Sequence, residues 1–205
     1  MTPRRGRFIV LEGADGCGKS TQARRLVAAI RSGGREAIHV RDPGSTPVSE
    51  AVRRILLDPM SGKLAVATET CLYMAARAQL VAQVIEPALA AGVFVICERW
   101  TLSTEVYQGD AGGFGAASVR KLAHLACGGV APDLVLVLDV PVGAGLARLG
   151  RDRDRMERKG DDFHARVVRS YRRLARRRRG CVLLPHAPLD DVTARIGEEV
   201  ARRVR

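Results

Sequence analysis

Gly13, Gly18, Lys19 and Ser20 stand in the segment 13-GADGCGKST-21 at the spacing G-x-x-x-x-G-K-[ST], directly after the apolar run FIVLE. Such glycines let successive backbone N–H groups turn inward on phosphate oxygens. A helix opening at the same point adds its unpaired N–H groups and the positive end of its dipole. Lys19 is placed to neutralise terminal phosphates, and the Ser20 hydroxyl to ligate Mg²⁺. The run Gly13, Ala14, Asp15, Gly16, Cys17, Gly18, Lys19, Ser20 and Thr21 is therefore expected to bind ATP with Mg²⁺, Cys17 serving as a small residue that fits. A chance glycine-rich turn would have no reason to sit between a strand and a helix.

Short apolar runs at 8–12, 37–40, 93–97, 134–139 and 181–185 read as strands buried on both faces. Helical patterns lie between them at 19–32, 47–57, 67–91, 102–108, 115–126, 141–149, 161–178 and 189–204. This alternation predicts βαβ units, and with the phosphate loop it gives a P-loop NTPase-type α/β/α fold: three layers around a five-stranded parallel sheet. Turn chemistry marks the breaks: SGG at 32–34, DPGSTP at 42–47, and Gly92 after the long central helix. No linker or repeat interrupts residues 1–205, so one domain is expected, with a charged flap at about 148–160.

Composition narrows the partners. Apolar residues make up 46% and charged residues 27% of 205, values of a globular chain. The formal charge of +12 calls for an anionic partner without saying which. Five scattered cysteines with no CxxC pair argue against a zinc site or disulfide framework and for a reducing cytoplasm. The apolar stretch 81–97 is broken by Gln83, Glu86, Pro87 and Gly92, so no membrane span is expected. Arginines at 172, 173 and 176–179 raise a nucleic-acid-binding ATPase as an alternative, but they spread around a helix without interleaved aromatics. A solvated face is the simpler reading.

The segments IVLEGADGCGKSTQARRL, RDPGSTPVSEAVRRILLD, LYMAARAQLVAQVIEPALAAGVFVICERWTLSTEVYQG, PDLVLVLDVPVGAGLAR and DRME together resemble the thymidylate kinase family, in the same order and over nearly the whole chain. The resemblance implies phosphoryl transfer from ATP to a deoxynucleoside monophosphate, dTMP first, by a homodimer that uses Mg²⁺. It places Asp15 toward the acceptor sugar, Arg53 and Arg77 on the acceptor phosphate and base, and Arg99 near the phosphoryl groups. Tyr73 is expected to stack on the base, Thr104 and Gln108 to meet its edge, and Tyr107 to wall the sugar. Asp42 and Pro43 belong to the same acceptor site. Because Gly16 stands where some relatives carry a loop arginine, a catalytic arginine must come from the flap: Arg148, Arg151 or Arg153.

The chain departs from the family pattern in three places. Glu98-Arg99-Trp100 replaces Asp-Arg followed by Tyr, Phe or His, Asp42 shortens the acid of REPGGT, and the flap is short. Glu98 is the carboxylate expected beside Ser20 at the metal. Its extra methylene matters because a displacement of ~1 Å at a reacting centre costs on the order of 100-fold. These departures leave open a paralogue acting on another or a modified deoxynucleoside monophosphate.

Overall fold

The computed structural model describes residues 5–148, 150 and 152–204. Five parallel strands, β1 (Phe8–Glu12), β2 (Ala37–Arg41), β3 (Phe94–Glu98), β4 (Leu134–Leu138) and β5 (Cys181–Leu184), lie in the order β2-β3-β1-β4-β5. Eight α-helices connect and cover them: α1 (Lys19–Ser32), α2 (Pro47–Leu57), α3 (Val66–Leu80), α4 (Glu86–Ala90), α5 (Thr101–Thr104), α6 (Ala116–Cys127), α7 (Asp161–Arg177) and α8 (Leu189–Arg203). This is the expected three-layer arrangement.

The period-two geometry of a strand splits β1 between two cores. Ile9 and Leu11 join Leu26, Val27, Val192 and Ile196 under α1 and α8. Phe8 and Val10 join Leu80, Ile85, Trp100 and Tyr171 under the helices of the opposite face. Burial on both faces holds for β1, β3 and β4, as expected, but not for β2 and β5. Those two are the edges of the sheet, where one side lacks a neighbouring strand.

Three helical expectations need correction. The pattern at 141–149 forms no α-helix: among its described residues only a 3-10 turn, Leu146–Arg148, appears, because Gly143 (φ 81°) and Gly145 break the run. The long central helix passes from α3 through a π-helical turn, Val81–Ile85, into α4, and α5 likewise opens into a π turn at Glu105–Ala111. Such widened turns cost regular hydrogen bonding and recur at functional sites.

A buried carboxylate ties the sheet to the site. Glu12, at the end of β1, accepts from the backbone N–H groups of Trp100 (2.8 Å) and Ser103 (3.0 Å) at the start of α5, and from the hydroxyls of Ser103 (2.6 Å) and Tyr171 (2.9 Å). It thereby satisfies helix N–H groups that would otherwise lack partners. In the α7–β5 region, Arg172, Arg173 and Arg178 are tied to Asp139, Asp110 and Glu105.

Candidate active site

Ligand sites in parallel sheets form beyond the carboxyl ends of the strands. Here those ends deliver the phosphate loop from β1, Asp42 from β2, Glu98 and Arg99 from β3, and Asp139 from β4. The loop turns through Gly13 (φ 136°), Gly16 (φ 71°) and Gly18 (φ 98°), conformations that side chains rarely adopt. Lys19 Nζ donates to the carbonyls of Gly13 (2.9 Å) and Ala14 (2.8 Å) and lies 3.5 Å from Cys17 Sγ.

Ser20 Oγ donates to Glu98 Oε2 at 2.6 Å, so the two residues expected at a metal converge. His39 Nε2, from the neighbouring strand β2, lies 2.8 Å from the other oxygen, Oε1. Burial disfavours the charge on Glu98, but His39, Ser20 and Lys19 outweigh it and hold the carboxyl below its ordinary range. Two hard oxygens beside a phosphate loop fit Mg²⁺, which keeps several waters and takes its remaining ligands from substrate phosphates. The longer side chain at position 98 thus comes with its own brace, and nothing in the sequence motif announced His39.

A cleft of about 600 Å³ opens on one side of the loop. All ten residues expected to receive the acceptor line it, together with Leu57, Ser103 and residues 154, 156 and 157. Asp15 binds Arg99 Nη2 through one carboxylate oxygen and accepts from Tyr107 OH at 2.8 Å through the other. Burial works against its charge, yet Arg99, Lys19 and the Tyr107 hydroxyl hold it below the usual carboxylate range. Arg99 is also bent into a left-handed backbone conformation (φ 66°) and donates to Gly13 O at 3.2 Å, which points it back at the loop.

Arg77 is 1% exposed and heavily tied down. Its Nε donates to Asp42 Oδ2 at 2.6 Å and its Nη2 to Thr104 Oγ1 at 2.9 Å, and its guanidinium lies 5.3 Å from the Trp100 ring centre. Trp100 is itself set edge-on to Phe8, with ring centres 5.1 Å apart. Burial alone would depress the Arg77 pKa, but the Asp42 carboxylate raises it and keeps the guanidinium charged. Two of the departures from the family pattern, Asp42 and Trp100, therefore cooperate in holding one arginine. Asp42 Oδ1 is enclosed and accepts no hydrogen bond from any described residue. Arg53 Nη1 donates to Pro43 O at 3.0 Å, and Tyr73 is half-buried at the cleft wall with its hydroxyl raised in pKa by burial.

The charged flap serves both sides of the loop. Arg148 Nη1 approaches Gly16 O at 3.4 Å. Arg153 contributes its carbonyl to Arg158 Nε (2.7 Å) and makes no hydrogen bond to the loop among the described residues. Arg151 lies outside the described residues. Arg155, which the sequence reading passed over inside DRME, is buried: Nε donates to Leu56 O at 2.7 Å and its backbone N to Leu57 O at 2.8 Å. Gly16 itself could carry no side chain as the chain lies, since a Cβ there would sit 2.0 Å from Gly145 O.

A second cleft lies across the loop, lined by Cys17, Gly18, Gln22, Asp139, Arg148 and the turn at 185–189. The sequence reading missed this turn, although its position after the last parallel strand was a usable signal.

The family profile described as thymidylate kinase matches residues 11–196. Thymidylate kinases of Afipia carboxidovorans (42% identical, covering 98% of this chain and 92% of the relative) and Bordetella pertussis (42%, covering 100% and 98%) are among its relatives. That of Rhizorhabdus wittichii is 40% identical over 96% of this chain and 97% of its own. With the loop, the paired carboxylates and arginines of the cleft, and this match over nearly its full length, the chain belongs to the thymidylate kinase family.

Proposed function

We propose that this chain transfers the terminal phosphoryl group of ATP to the 5′-phosphate of dTMP, giving dTDP. The observation that carries the reading is that two clefts share the phosphate loop as their common wall, with Asp15 facing one and Cys17 and Gly18 the other. ATP enters the second cleft with its base by residues 185–189 and its phosphates on the loop N–H groups and Lys19. The acceptor fills the first, its base against Tyr73, its edge toward Arg77, Thr104 and Gln108, its sugar by Tyr107 and Asp15, and its phosphate between Arg53 and Arg99.

Catalysis here is positioning and charge neutralisation, because two polyanions must be brought in line without repelling each other. Arg99 lines the acceptor cleft and is tied to both Asp15 and Gly13 of the loop, and Arg148 closes on the loop from the donor side. Ser20 and Glu98 would hold Mg²⁺, and the ion would supply positive charge to the phosphate oxygens. Closure of the flap excludes water and limits wasteful hydrolysis.

Self-association as a homodimer belongs to this reading and is checked by sedimentation. No helix among the described residues is long and apolar enough to cross a membrane. A cytoplasmic site of action is part of the same proposal. The deciding experiment is ADP release from Mg·ATP with dTMP, dUMP, dCMP, dGMP, UMP and hydroxymethylated pyrimidine monophosphates. dTMP is expected among the best acceptors, and a chain that prefers another nucleotide would overturn the assignment.

A further inference from the structure

Glu69 on α3 is 2% exposed and binds side chains from two directions. Arg155 Nη1 and Lys159 Nζ reach it from the charged flap, Lys159 at 3.2 and 3.1 Å from its two oxygens. Gln108 Nε2 reaches it from the π turn that borders the acceptor cleft, at 3.1 Å. Burial disfavours its charge, but the bonds from Arg155 and Gln108 and the charge of Lys159 outweigh this and keep it ionised.

An ionised carboxylate only accepts hydrogen bonds. The amide of Gln108 must therefore turn its nitrogen to Glu69, and its orientation is dictated by chemistry. The oxygen of the amide accepts from no described residue, and Asp42 Oδ1 is the side-chain atom that is both enclosed and unpartnered among them. Since Gln108 lines the cleft, its oxygen is left open there as an acceptor.

We propose that Glu69 is a positioning residue that fixes the sense of the Gln108 amide, so that the cleft selects pyrimidines bearing a proton on N3. This rests on the reading of the cleft as the pyrimidine nucleotide site. Thymine and uracil carry an N3–H that the Gln108 oxygen accepts. Cytosine presents a bare N3 lone pair, and two acceptors facing each other leave both without a partner. Arg155 and Lys159 are what keep Glu69 charged. A neutral group in its place both donates and accepts, and would let the amide turn over.

The test is Glu69→Gln, nearly isosteric, with kcat/KM for dTMP, dUMP and dCMP and binding of the same nucleotides by titration calorimetry. The variant should lower the dTMP:dCMP ratio by about 10-fold or more, the scale of one misplaced buried hydrogen bond. It should leave dTMP:dUMP within about twofold, because both bases carry N3–H. A purely structural role would lower all three activities together with both ratios unchanged, and that result would overturn the proposal. If Glu69→Gln fails to fold, Lys159→Met, at a partly exposed position, should shift the dTMP:dCMP ratio in the same direction by less, and an unmoved ratio again overturns it. A wild-type chain that takes dCMP as readily as dTMP would sink both this inference and the functional reading. A wild-type preference that survives Glu69→Gln would sink this inference alone.

Discussion

The donor side of the site and the acceptor side are built from different materials. Around the phosphate loop most of the work falls to backbone: three glycines in positive-φ conformations and a lysine anchored on two carbonyls within six residues of itself. The acceptor cleft draws instead on side chains from distant segments, and two of its three arginines are paired with carboxylates, Arg99 with Asp15 and Arg77 with Asp42, while Arg53 rests on the Pro43 carbonyl; beside the cleft, Arg155 pairs with Glu69. A backbone site is encoded locally and stands or falls with its loop. A side-chain site spreads its dependence over the fold, because each paired cation is held by a carboxylate whose loss leaves a buried charge uncompensated.

The sharpest contrast should come from Lys19→Ala. Turnover should fall on the order of 1,000-fold or more, the scale of a lost phosphate-neutralising cation, with the thermal unfolding midpoint little changed. Activity that survives would remove the loop from the mechanism. Asp42→Ala should instead strike stability: leaving Arg77 buried without its partner costs about 3–5 kcal/mol, read as a lower urea midpoint. Next comes Gly16→Ala, where a left-handed conformation and a carbonyl in the way of the new Cβ predict a loss of about 1–3 kcal/mol and slower turnover. An unchanged midpoint there would mean that Gly145 yields easily.

Smaller effects are expected from the brace on Glu98. His39→Ala should raise the Mg²⁺ concentration for half-maximal binding of Mg·ATP by up to about 10-fold, and should do nothing in a Glu98→Asp background, where the shorter acid no longer meets it. Equal effects in both backgrounds would show that His39 acts elsewhere. The smallest effect concerns acid. Glu69 is held below its ordinary pKa in the fold, so its contribution is full above about pH 4.3 and fades as pH falls through the lower folded value. Glu69→Gln should flatten stability against pH below about pH 4, measured by urea unfolding across that range.

This contrast also explains what could be read from the chain beforehand. The loop was legible because its chemistry is contiguous, and β1 was legible to the residue because an apolar run ending in Glu12 meets a glycine turn. The cleft was legible only through motif likeness, which named Asp15, Arg77 and Gln108 but not what holds them. Glu69, Arg155 and His39 sit as far as 99 residues from their partners, and no spacing rule links them. The helix expected at 141–149 failed for a related reason: its apolar periodicity was real, but Gly143 takes a left-handed turn and Gly145 serves a close backbone approach to the loop. The edge strands were overestimated because a run of apolar residues does not reveal how many neighbours it will have.

The touching backbones of Gly16 and Gly145 also bear on where an arginine can be placed. Added Cβ atoms would meet oxygen at 2.0 Å from either side, at Gly145 O for one and Asp15 O for the other. Placing an arginine in the loop at position 16 would thus require the opposite wall to retreat first. Such a retreat would also disturb the approach of Arg148 to Gly16 O. A side chain at either glycine alone would therefore meet the backbone of the other, so the two positions constrain each other as a pair.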